Sequence, residues 1–186
     1  KDKEWRVSQP LVKRFHHYLT GDPWTREVIL ETVAVYQSYT RTSALAPSMV
    51  SAVAGLLVKH ELTGSAKDGE VLARMMDIYA SGVYPDGHFA RSIHANLGTG
   101  EGSVVADGKN LMGSYFFLQG FGGQHTLTEL AETYQHAGLN EALVRYARLV
   151  ATGTFDMTVW KGYQIPSKGG SMAFLALAWR RTGEPL

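Results

Sequence analysis

The sequence predicts an all-α fold of repeated helical hairpins forming part of an (α/α) toroid, and three observations predict it. Small turns built on glycine recur at Thr20-Gly21-Asp22-Pro23, Thr63-Gly64, Ala137-Gly138 and Thr182-Gly183-Glu184-Pro185. A helix-like stretch enters each turn, and a second amphipathic stretch leaves each of the first three, so the repeating unit is a helix pair. The turn glycines stand 43, 74 and 45 positions apart. The middle interval therefore carries an insertion of about 30 residues, the obvious place to look for function.

The first pair is predicted over residues 9–18 and 23–39, with Asp22 as N-cap and Pro23 at the first helical position. Its Ile29, Val33 and Tyr36 form one apolar stripe. The second pair covers 47–62, with Met49, Val53, Leu56, Leu57 and His60 in helical register, and 68–80, with Leu72, Met75, Met76 and Tyr79. The third covers 126–135 and 140–150. Thr126 and Glu129 make a capping-box pattern directly after Gly122 and Gly123, and Leu143, Tyr146, Ala147 and Val150 make the second stripe. A fourth entering helix, 171–181, has no partner. The chain, residues 1–186, thus reads as a segment of one toroid domain, incomplete at its C-terminus. Residues 115–118 fit a short strand or a helical extension equally well.

At 186 residues and 45% hydrophobic, the chain can bury a substantial core as one domain. Eighteen Lys and Arg against seventeen Asp and Glu leave a net charge of +1 without a basic block, which gives no reason to expect nucleic acid or an anionic membrane. The longest apolar run, 44–58, is broken by Pro47 and by serines, so no spanning helix is expected. The absence of cysteine removes disulfides, thiolate metal sites and a thiol nucleophile. It leaves the compartment open, with a secreted or periplasmic location favoured over a cytoplasmic one.

Turns inside a pair are short, whereas the connections between pairs, 40–46, 81–125 and 151–170, are long. In a ring of antiparallel pairs the short turns gather on one face and the long connections on the other. The second face also carries the N-termini of the entering helices, whose free N–H groups and dipoles favour anions. Function is expected there, on residues 5–9, 46–49, 84–101, 121–125 and 160–171.

The insertion concentrates Tyr84, Asp86, His88, Arg91, His94, Asn96 and Glu101 in one glycine-rich stretch. Long loops of this kind are usually functional or disordered. His88 and His94 suit acid and base work near neutral pH, and Tyr84 would act as a base only beside a cation such as Arg91. No metal-ligand spacing accompanies the histidines, so neither a metal nor another cofactor is expected. Gln124 and His125 follow Gly122-Gly123, which lacks the Lys-Ser or Lys-Thr of a phosphate loop. Trp160, Lys161, Tyr163 and Gln164 mix aromatic faces with polar groups as sugar sites do, and Trp5, Arg6 and Gln9 supply a second platform. His16, His17, His60 and His136 lie at the quiet face and read as structural, and Met75 and Met76 as core.

The segment Trp5-Arg6-Val7-Ser8-Gln9-Pro10, a helix ending in Tyr18-Leu19-Thr20-Gly21-Asp22-Pro23, and the helix after it resemble the toroid of exo-acting rhamnogalacturonan lyases and their relatives. The same turn signature is shared by unsaturated glucuronyl hydrolases and heparinase-like lyases. The resemblance implies β-elimination on a uronic-acid polysaccharide, with an acidic oligo- or polysaccharide and the remaining toroid helices as partners. In that chemistry His88 or His94 would be the base, Tyr84 or Tyr163 the acid, and Arg91 or Arg6 the cation that neutralises the carboxylate. A glycoside hydrolase of the same fold would instead need two carboxyl groups, for which Asp86, Glu101, Asp107 and Asp156 are available. A non-catalytic helical scaffold is the third reading.

Overall fold

The structure, a computed structural model, describes residues 10–39, 42–109, 123–152 and 172–184. Among them are seven helices: α1 (Pro10–Thr20), α2 (Pro23–Gln37), α3 (Ala46–Thr63), α4 (Ala66–Ser81), α5 (Gly123–Thr133), α6 (Ala137–Thr152) and α7 (Met172–Thr182). The protein is mostly helical, as its periodicity predicts. It departs from an all-α fold in one place, where β1 (Thr42–Leu45), β2 (Ala90–Ala95) and β3 (Gly102–Lys109) form an antiparallel sheet in that order.

The entering helices form a row, with α1 packed on α3, α3 on α5 and α5 on α7. The leaving helices lie against this row, α2 on α1 and α3, α4 on α3, and α6 on α5 and α7. α3 occupies the centre and is buried without a break from Met49 to Val58. A helix apolar all round must be enclosed by neighbours. Gly55 brings two of them close: a Cβ placed on it would lie 3.0 Å from Val33 and 3.8 Å from Pro10 and Tyr36.

Three of the short turns share one construction. Gly21, Gly64 and Gly183 adopt φ of 69°, 65° and 70°, which glycine tolerates without a Cβ penalty. Their N–H groups donate to the carbonyls of His17, His60 and Trp179 at 2.8 Å. The preceding threonines donate to the carbonyls of His16, Lys59 and Ala178 and accept from the N–H groups of Asp22, Ser65 and Glu184. His17 and His60 complete two of these turns, each Nδ1 lying 2.8 Å from the carbonyl of Asp22 or Ser65. These histidines are turn locks.

The third turn is different, and two expectations about it are corrected. Its left-handed residue is Gln135, at φ 48°, and Gly138 lies in the first turn of α6. A Cβ on Gly138 would meet Ala80 at 3.4 Å, an ordinary van der Waals contact. Thr126 is fully buried inside α5 and is not its cap, because the helix already begins at Gly123. His136, in this turn, accepts from Leu139 N–H and meets Asp77 of α4 at 3.0 Å.

Those contacts also correct the two-face scheme. The third short turn touches the end of α4, from which the long connection leaves, so the two kinds of connection are not segregated there. The leaving helices instead overlap end to start. Gln37 at the end of α2 likewise reaches Asp68 at the start of α4, donating to it at 2.7 Å. Lys59 of α3 donates to Gln37 at 2.5 Å and lies 3.3 Å from the Asp68 carboxylate.

Burial works against the Asp68 carboxylate, but hydrogen bonds from Gln37 and Ser65 and the Lys59 charge outweigh it and hold its pKa below the ordinary value. Its contribution to stability is therefore complete at neutral pH and is lost as pH falls through that depressed value. Replacing Asp68 by Ala is expected to cost about 2–3 kcal/mol at pH 7 in urea unfolding. The gap between variant and parent should narrow on acidification, and a gap independent of pH would contradict this account.

Candidate functional site

The densest part of the insertion folds as two tight turns at opposite ends of β2. The first is closed by Tyr84 N–H donating to the His88 carbonyl and Gly87 N–H donating to the Tyr84 carbonyl, both at 2.9 Å. Val83 and Phe89 bridge just outside it. Pro85 presets the first corner of this three-residue loop, and Gly87, at φ 88°, takes the left-handed position that ends it. Asp86 accepts from the His88 N–H at 3.3 Å.

This geometry places Tyr84 and His88 opposite one another across the hairpin, where facing side chains are neighbours. The His88 imidazole is mostly covered, its side chain 15% exposed, and Nδ1 lies 3.4 Å from the half-exposed Asp86 carboxylate. Nδ1 is buried and makes no hydrogen bond, so its approach to Asp86 is a close contact and not a bond. The turn sits on α6: a Cβ on Gly87 would lie 2.6 Å from the Arg145 carbonyl and 2.8 Å from Leu149, and Arg145 donates to the Val83 carbonyl at 3.1 Å. Beneath it Phe89 meets Tyr146, which meets Phe174, in two edge-on contacts of 5.0 Å.

The second turn, Asn96 to Glu101, is a hairpin tip. Asn96 Oδ1 accepts from Gly98 N–H at 2.9 Å, and its carbonyl accepts from Gly100 N–H at 2.7 Å. Gly98 abuts the end of α2, and Arg74 of α4 donates to the Thr99 carbonyl at 2.9 Å. Asn96 is thus committed to local turn bonds.

Of the residues singled out from sequence, the structure brings Tyr84, Asp86 and His88 together and spreads the others. Arg91 is exposed on β2 opposite an irregularity in β3, where the register slips between Ala90 and Ser92. His94 stands in register with Ser43 and Ser103. At about 3.3 Å per residue, β2 puts roughly 16 Å of strand between the two turns, with His94 near its far end, so neither His88 and His94 nor Asp86 and Glu101 share one turn. Gln124 and His125 lie in the first turn of α5, with Gln124 half-buried and His125 exposed. Asp107 falls on β3. Trp5, Arg6, Gln9, Asp156, Trp160, Lys161, Tyr163 and Gln164 lie outside the described residues. Among the described residues no group of three or more His, Asp or Glu is disposed to hold a metal ion. No helix there is long and apolar enough to cross a membrane.

Two polar features are invisible in the local sequence. Arg145 is one, holding the first turn on α6. The other is Arg14, which donates to Glu61 of α3 at 2.9 Å and to Glu129 of α5 at 2.7 Å, joining three entering helices. Tyr18 adds a bond to Glu61 at 3.2 Å. No protein-family model, no curated protein and no solved structure matches this chain.

The first turn should be far less tolerant than the short helical turns. Gly64 has open space around its missing Cβ, so Gly64→Ala carries only the left-handed backbone penalty of about 1 kcal/mol. Gly87→Ala adds a collision with the α6 backbone and is expected to cost about 3 kcal/mol or more in denaturant unfolding. Equal costs at the two positions would refute the close docking of the turn on α6.

Proposed function

We propose that this chain belongs to a polysaccharide lyase that cleaves a uronic-acid-containing polysaccharide, of pectin or rhamnogalacturonan type, by β-elimination. The observation that carries the proposal is the Tyr84-Asp86-His88 turn, which sets a phenol opposite an imidazole and the imidazole against a carboxylate. The likeness of the repeated turns to those of toroid lyases supports it. So does the row of entering helices, which suits part of an (α/α) toroid completed by further helices.

In the proposed reaction Asp86 braces the turn by accepting from the His88 N–H. Nε2 of His88 removes the proton beside the uronate carboxylate. The C–H electron pair becomes the new ring double bond as the C4–O bond breaks, and Tyr84 protonates the departing oxygen. Arg91, exposed on the adjoining strand, neutralises the substrate carboxylate and the enolate-like charge. The hydrolase alternative would need a carboxyl partner for Asp86, and Glu101 stands in the turn at the other end of β2, whereas carboxyl pairs that flank a glycosidic bond stand about 5–10 Å apart.

Formation of the unsaturated uronate chromophore from acidic polysaccharides measures the activity directly. His88→Gln is expected to lower the initial rate by about 100-fold or more, with far-ultraviolet circular dichroism unchanged. Tyr84→Phe should lower it as well, whereas His94→Gln should not. A His88→Gln variant as active as its parent, or products without a new double bond, would overturn the proposal.

A further inference from the structure

The histidines of the short turns differ in which ring nitrogen must carry the proton. In the first two turns Nδ1 of His17 and of His60 lies 2.8 Å from a backbone carbonyl, that of Asp22 or Ser65. A carbonyl only accepts, so Nδ1 carries the proton there and the lone pair sits on Nε2. In the third turn the order is reversed. Nδ1 of His136 stands 3.0 Å from the Leu139 N–H, which only donates, so Nδ1 holds the lone pair and the Nε2 proton points to the Asp77 carboxylate, also at 3.0 Å.

The bond from Leu139 is the N-cap of α6. His136 immediately precedes Ala137, its carbonyl accepts from the Asn140 N–H at 3.0 Å, and its ring satisfies the donor of the third helical position. Leu139 is fully buried, so water does not stand in for the ring. The charged group set against that ring is Asp77 of α4. α6 places Gly138 and Asn140, both neutral, beside it, and Tyr134, just past the end of α5, lies against His60 of α3 instead.

A second proton therefore acts differently in the two kinds of turn. On His17 or His60 it goes to Nε2 and leaves the turn bond in place, in the last turn of α1 or α3, where the helix dipole favours a positive charge. On His136 it can go only to Nδ1, which then donates and no longer accepts, at the N-terminus of α6, where the dipole disfavours the charge. We infer that the third short turn is a pH-sensitive joint, in which protonation of His136 releases the cap of α6 while the charged ring stays paired with Asp77 of α4. The helix so released is the one on which Gly87 docks and from which Arg145 reaches Val83. The inference does not depend on the lyase reading, since the titrating group lies outside the Tyr84-Asp86-His88 turn.

Nitrogen-15 NMR of the whole chain tests it, with the seven histidines assigned by single His→Gln variants. At about pH 8, where imidazole is neutral, the proton is expected on Nδ1 in His17 and His60 and on Nε2 in His136. Amide hydrogen exchange then reads the cap. Between about pH 8 and about pH 5, protection of the Leu139 N–H, corrected for intrinsic exchange, should fall about fivefold or more, while that of the Gly64 N–H is retained. His136→Asn supplies a side-chain oxygen that caps at every pH, so its Leu139 protection should stay level over the same range. A proton on Nδ1 of His136 at the higher pH overturns the inference. So does Leu139 protection independent of pH in the parent, or a fall equally large at Gly64 or in His136→Asn, which would report a general loss of stability.

Discussion

The structure depends on the enclosure of α3. Ten consecutive residues, Met49 to Val58, have no face on which water is tolerated, so neighbours must cover the helix on all sides. α1, α2, α4 and α5 do so along its length, and β1 and β2 reach it as well. Gly55 makes the enclosure tight: with Val33 already 3.0 Å from where a Cβ would be, any larger residue would force α2 away. The polar groups of α3 then appear only where it emerges. Lys59 turns to Gln37 and Asp68, and Glu61 turns to Arg14, so the last turns of one helix carry two of the ionic ties between helices. Arg14 holds two carboxylates at once, and its own pKa is raised, chiefly by the hydrogen bond to Glu129.

The fold was legible wherever its cause was local. Thr20-Gly21-Asp22 and Thr63-Gly64-Ser65 specify their own geometry: a glycine free to adopt positive φ, a threonine bridging the helix end to the next cap, and a histidine closing the turn. The third turn misled because Ala137-Gly138 has the same look for another reason. There Gly138 lies inside the first turn of α6, and Gln135 takes the left-handed position, which a non-glycine residue adopts at some cost. The ties of Arg14 to Glu61 and Glu129 had no local signal, since they join residues 47 and 115 positions apart.

The sheet was missed for a different reason. β2 reads Ala-Arg-Ser-Ile-His-Ala and β3 carries two glycines, so neither shows the aromatic and β-branched alternation that marks a strand. Their pairing is imposed by the turns at either end of β2 and by burial of Ile93, Ala95 and Leu97 in the core. The tip of the hairpin abuts the end of α2, and β3 packs along α4. The insertion is thus a wall of the helical array, and much of its apparent density of functional residues is turn chemistry. Asn96, Gly98 and Gly100 are fully explained in that way.

What turn chemistry leaves unexplained is the most informative part of the site. In the first turn it accounts for Pro85, Asp86 and Gly87, each of which supplies a backbone angle or a local hydrogen bond. At the two flanking positions the turn uses only backbone groups, Tyr84 N–H and the His88 carbonyl. Those positions hold Tyr84 and His88, facing one another, with the imidazole largely covered and its Nδ1 turned to a carboxylate. The turn is also held rigidly, by the approach of Gly87 to α6 and by Arg145 across the Val83 carbonyl, so the relative placement of phenol and imidazole is preorganised. The proposed reaction is therefore assigned to this docked turn, which carries a phenol and an imidazole, and not to the equally polar turn at the other end of β2.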